Sequence, residues 1–111
     1  MAVGVLITMP GVTQEQYEQV NRRMFGRYPM ELGDAPAGLI LHSAGPGPDG
    51  WHVYDIWESR EAHQRFSRDK VGPAVQAIIG AEPGSGPPPQ YFEVASLIYV
   101  PSDAAFHEFH D

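Results

Sequence analysis

Gly50-Trp51-His52-Val53-Tyr54-Asp55-Ile56-Trp57-Glu58 runs without a break into Ser59-Arg60-Glu61-Ala62. The first nine residues are rich in aromatic and β-branched side chains, which suit a pleated, half-buried surface. As a strand, the segment puts Trp51, Val53, Asp55 and Trp57 on one face. His52, Tyr54, Ile56 and Glu58 fall on the other. Both rows are substantially apolar, so each face of the sheet needs a cover. Ser59 is a good N-cap, and Ala62 and Phe66 then give the apolar side of a helix ending near Lys70.

Upstream, residues 37–44 read as a second strand and Gly45-Pro46-Gly47-Pro48-Asp49-Gly50 as a turn, which predicts an antiparallel hairpin. Pairing Gly45 with Gly50 sets His42 opposite Val53, Leu41 opposite Tyr54 and Ile40 opposite Asp55. Ile40, His42, Trp51, Val53, Asp55 and Trp57 then share one face; Leu39, Leu41, Tyr54 and Ile56 share the other. A one-residue slip would move His42 across the sheet.

Further out, residues 2–9 form a short apolar strand ended by Pro10-Gly11. Thr13 with Gln16 three residues later is a capping-box pattern. Tyr17, Val20, Met24 and Tyr28 make one stripe on a helix over about 13–27. Downstream, Gly72-Pro73 breaks the second helix, and a further helical piece carries Val75, Ile78 and Ile79 inward. Residues 82–89 are a stiff connector and 90–100 a last strand. The predicted order is β-α-β-β-α-β over residues 1–100, followed by a tail at 101–111. This is an α+β, ferredoxin-like arrangement: a four-stranded antiparallel sheet with its helices on one face. We assign the helices to the face of Leu39, Leu41, Tyr54 and Ile56. The opposite face, with two tryptophans, Ile40 and Val53, is too apolar for a monomer. A homodimer that buries it is the expected assembly.

Composition narrows the function. A chain of 111 residues supports one core. Fourteen acidic residues against seven basic ones give a net charge of -7, which disfavours nucleic acid and anionic membrane surfaces. No apolar run is long enough to span a bilayer, and the N-terminus lacks the pattern of a secretory leader, so a cytoplasmic location is expected. The absence of cysteine excludes disulfides, thiolate catalysis and cysteine metal sites. The glycine- and proline-rich stretches at 45–50 and 83–89 lack the strand–loop–helix context of a phosphate-binding loop.

Val53-Tyr54-Asp55-Ile56-Trp57-Glu58-Ser59-Arg60-Glu61-Ala62 resembles the strand, Trp-Glu-Ser, helix segment of the dimeric α+β barrel superfamily, in its antibiotic-biosynthesis-monooxygenase branch. The resemblance implies a dimeric barrel holding a small apolar ligand between sheet and helices or in the barrel interior. The fold hosts oxygenases, cyclases and isomerases, so it does not select a reaction. In the haem-degrading members a tryptophan of this segment lines the haem; Trp57 matches it. Their haem-ligating histidine falls near Gln76 here, and their first-strand asparagine has no counterpart in residues 2–9. Haem degradation is therefore not expected. In polyketide cyclases of the fold a strand histidine works with a tyrosine. His42 fits the histidine, and the residues leave the tyrosine unplaced.

His42 and Asp55 are the candidate catalytic pair, lying diagonally on one face within reach of each other. A carboxylate that orients a histidine makes a general base near neutral pH. The competing reading is a polar pair satisfied in the dimer interface. Trp57, Trp51, Ile40 and Val53 are the candidate substrate-binding residues, with Trp51 also suited to dimer core. His52 is read as a solvated rim residue and His63 as a surface one. His107 and His110 have a His-x-x-His spacing, too few ligands for a metal site. The leading function is a cofactor-independent enzyme on a small, apolar, aromatic or polyketide-like molecule, acting by acid–base chemistry as a monooxygenase, cyclase or isomerase. The alternative is a non-enzymatic small-molecule-binding or structural homodimer.

Overall fold

The computed structural model describes residues 1–82, 84–100, 106, 108 and 109. Its strands are β1 (Val3–Pro10), β2 (Leu39–Gly47), β3 (Gly50–Trp57) and β4 (Gln90–Glu93). Its principal helices are α1 (Gln14–Phe25), α2 (Arg60–Phe66) and α3 (Gly72–Ile79). The strands form one antiparallel sheet in the order β2-β3-β1-β4, an α+β architecture compatible with a ferredoxin-like arrangement. His107 and His110 lie outside the described residues.

Local sequence signals set the element ends. The Thr13 hydroxyl accepts from the Gln16 amide while the Gln16 side chain accepts from the Thr13 amide, so α1 starts on a complete capping box. Gly26 ends it in the left-handed region at φ 77°. The Ser59 hydroxyl caps α2 by accepting from the Ala62 amide at 3.1 Å. The break expected at Gly72-Pro73 is instead a widened turn: a π-helical segment, Ser67–Val71, joins α2 to α3. Proline has no N–H and its ring crowds the carbonyl four residues back; one wider turn relieves that conflict and lets the helical path continue.

The hairpin is longer and tighter than expected. Gly47 pairs with Gly50, leaving only Pro48 and Asp49 in the turn, and His42 lies directly opposite Asp55 rather than Val53. The shift is two residues, so His42 and Asp55 stay on one face. A bulge between Leu39 and Leu41 then sets Leu39 opposite Trp57 and leaves Ile40 45% exposed. β4 stops at Glu93, and residues 95–100 are exposed and unladdered, although 90–100 reads as one strand.

The larger correction concerns the covered face. The helices pack on the row Trp51, Val53, Asp55 and Trp57, whose members are 0–7% exposed. Trp57 clusters with Val3, Val5, Ala62 and Phe66; Trp51 and Val53 cluster with Tyr17 and Val12. The face assigned to the helices is the one they leave, where Tyr54 stands 36% exposed, although Ile56 on that face is 7% exposed. The bulky tryptophans bury more apolar area than Leu41, Tyr54 and Ile56 can, which decides the direction. With Trp51 and Trp57 both buried under the helices, no open tryptophan face is left for a second copy to cover.

Candidate active site

Three elements bring one polar chain together. Tyr17 is on the inward side of α1 one turn after its cap, and it is 8% exposed. β2 carries His42, whose side chain is 29% exposed; β3 carries Asp55, at 8%, and Trp57, fully buried. The His42 Nδ1 lies 2.7 Å from Asp55 Oδ1, and the Trp57 indole N–H donates to Asp55 Oδ2 at 3.1 Å. A carboxylate only accepts, so His42 Nδ1 carries the proton; when the imidazole is neutral, Nε2 is the acceptor. Tyr17 O–H then donates to Nε2, at an O–N distance of 2.5 Å. Both carboxylate oxygens of Asp55 are occupied, which is what a buried acid needs.

Burial raises the Tyr17 pKa well above its ordinary value, because a phenolate here would lose hydration. The group presented to His42 is thus a phenol. Asn21, 6% exposed, donates to the Tyr17 carbonyl at 2.9 Å and holds the inner side of the turn.

The chain borders a cavity of about 100 Å³ between sheet and helices. Its walls are mainly apolar, from Ile7, Val20, Met24, Phe25, Leu39, Val53, Phe66, Val75 and Ile79. Tyr17, Asn21, His42, Asp55, Trp57, His63 and Ser67 supply its polar groups. Ser67 and Val71 come from the π-helical segment. A mostly apolar pocket with a few convergent polar groups is the usual form of a small-molecule site, and this one is smaller than the ~300–1,000 Å³ usual for drug-sized ligands.

The structure thus joins His42 and Asp55 directly, and puts Val53 and Trp57 on the cavity wall. Trp51 is buried, 5.1 Å from the Tyr17 ring, but does not line the cavity; its indole N–H has no partner among the described residues. Ile40 is outside the cavity, at the bulge.

Two site residues were not legible as such. Tyr17 reads as one member of an apolar stripe, and no spacing within α1 reveals which strand residue it meets. His63 reads as a surface residue but is 3% exposed, with its ring 5.5 Å from Trp57 and Nδ1 2.8 Å from the Tyr91 hydroxyl. A signal was present: His63 precedes Phe66 by three and so shares its inward helical side. Burial lowers the His63 pKa, with the Asp55 charge opposing in part. Among the described residues no group of three or more His, Cys, Asp or Glu is placed to hold a metal ion.

Comparison with known protein families finds no family model that matches the chain, and no curated protein is significantly similar to it.

Chemically, the chain can accept a proton in one concerted move. As Tyr17 Oη takes a proton from a molecule in the cavity, its own passes to His42 Nε2, and the Asp55 carboxylate stabilises the imidazolium that forms. Because a free phenolate is disfavoured, the two transfers belong to one step.

Proposed function

We propose that the protein is a cofactor-independent acid–base enzyme. It takes a proton from a carbon next to a carbonyl, or from a phenol, of a small apolar molecule of aromatic or polyketide type. The observation that carries this is the Tyr17–His42–Asp55–Trp57 chain ending at an apolar cavity. A positioned base of this kind contributes roughly 10²–10⁴-fold. Return of the proton elsewhere on the substrate completes an isomerisation or cyclisation; dioxygen meeting the same carbanion would begin an oxygenation. The pairing of Tyr17 with His42 also supports the likeness to polyketide cyclases of the antibiotic-biosynthesis-monooxygenase-like α+β barrels.

The proposal keeps a homodimer, formed by different residues. The sheet face opposite the helices carries Tyr54 and Phe92, 36% and 47% exposed, beside Leu6 and Leu41. Burying that face between two copies would close a barrel.

The test is exchange of the acetophenone methyl protons into D₂O, followed by proton NMR. Wild type should exchange them faster than buffer, and His42→Ala and Tyr17→Phe should each lose about 10²-fold or more with unchanged circular dichroism. Wild type no faster than buffer would overturn the reading. One observation favours a binder instead: every member of the chain is paired within the protein itself. A binder would take up acetophenone and leave its protons in place.

A further inference from the structure

The base accounts for one wall of the cavity and leaves a second imidazole unused. His63 lines the same cavity from α2, is almost fully buried, and meets the Trp57 ring at a centroid distance of 5.5 Å. Its Nδ1 is engaged by the Tyr91 hydroxyl at 2.8 Å, and Nε2 has no hydrogen-bond partner among the described residues. The Arg60 guanidinium sits 4.2 Å from the centre of the Tyr91 ring. A cation over a phenol ring draws electron density from it and makes the hydroxyl a stronger donor. Tyr91 O–H is placed to donate to Nδ1; in that arrangement a neutral imidazole, with one donor and one acceptor nitrogen, carries its ring proton on Nε2. Desolvation keeps the ring neutral.

We propose that His63 Nε2–H is the hydrogen-bond donor for a substrate oxygen, so that the cavity selects small aryl molecules bearing a carbonyl or phenol. This rests on the acid–base reading above and assigns the other half of its chemistry. When the C–H bond breaks, its electron pair forms the carbon–carbon double bond of an enolate and the carbonyl π pair moves onto oxygen. The proton goes to Tyr17 Oη, and the Tyr17 proton goes to His42 Nε2. His63 transfers no proton; its N–H meets the charge that appears on the oxygen. Arg60 and Tyr91 are positioning residues that fix the tautomer.

The test uses 4-nitrophenol and nitrobenzene as probes, with binding followed by absorbance at a pH where the phenol is largely ionised. His63→Phe should weaken 4-nitrophenolate binding about tenfold or more, since a hydrogen bond to a charged acceptor is lost. Nitrobenzene binding should stay within about twofold. Equal loss for both probes, or none for either, would overturn the proposal. Tyr91→Phe, which leaves His63 in place, should give a smaller loss for the phenolate alone. In ¹⁵N NMR of the wild type, the neutral His63 ring should carry its proton on Nε2; a proton on Nδ1 overturns the assignment. The two readings fail separately. Phenolate binding that depends on His63, without acetophenone exchange, retains the oxygen site and removes the base. Exchange that depends on His42, with phenolate binding indifferent to His63, does the reverse.

Discussion

Asp55 is a buried carboxylate with two donors, His42 Nδ1–H and Trp57 Nε1–H, each on its own oxygen. An asparagine has one acceptor oxygen, so Asp55→Asn must turn its amide N–H toward one of those donors. We expect it to cost about 1–3 kcal/mol and to slow acetophenone exchange by about 10²-fold or more; urea unfolding and NMR exchange measure the two. Trp57→Phe keeps an aromatic ring but strands Oδ2 and opens space in a fully buried position. Its expected cost is about 2–4 kcal/mol, and a loss under about 1 kcal/mol would show that the indole N–H is dispensable. The candidate pair His42 and Asp55 was legible in the sequence because strand parity survives a shift of two. Their direct opposition was not, because it depended on where the Gly-Pro turn closed.

The hairpin that places His42 depends on Gly50. Its φ is 154°, and a Cβ there would sit 2.5 Å from Gly11 N and Met9 O, backbone atoms of the neighbouring strand and its turn. Gly50→Ala must push β1 off the hairpin, and we expect more than about 3 kcal/mol of destabilisation. Gly47→Ala, across the same turn, meets nothing closer than the His52 ring at 3.4 Å and should cost less than about 1 kcal/mol. Equal costs in thermal unfolding would refute this account of the turn. The capping box of α1 and the Ser59 cap of α2 were readable, since each involves residues within three positions. The π-helical join was not: Gly72-Pro73 normally signals a stop, and the chain continues because Ser67–Val71 widens to accommodate the ring.

Across the molecule, two buried titrating groups limit the pH range of stability. His63 is harder to protonate when folded than its ordinary value of 6.5. The unfolded chain therefore binds more protons below that value, and stability falls as pH drops below about 6.5. Tyr17 stays protonated in the fold while the unfolded chain ionises near 10.0, so stability also falls as pH rises past that value. Melting temperature against pH should fall on both sides, with the acid side flattened in His63→Gln and the alkaline side in Tyr17→Phe; unchanged slopes would contradict the burial of these groups. The proposed dimer would use the sheet face opposite the helices. Native mass spectrometry should show two copies for wild type and one for a Tyr54→Lys, Phe92→Lys double variant. A single-copy wild type would remove the dimer.

The sequence by itself determined the element order, the helix caps and the presence of a two-faced central strand, because caps, periodicity and turns are properties of neighbours a few residues apart. It also put His42 and Asp55 on one side of the sheet. Only the tertiary structure decided which side the helices cover, and with it that Trp51 is core, Ile40 is outside and Tyr17 completes the chain. Both rows of β3 are apolar, so local pattern cannot rank them; the ranking comes from which row buries more apolar area against the helices, and that row carries both tryptophans.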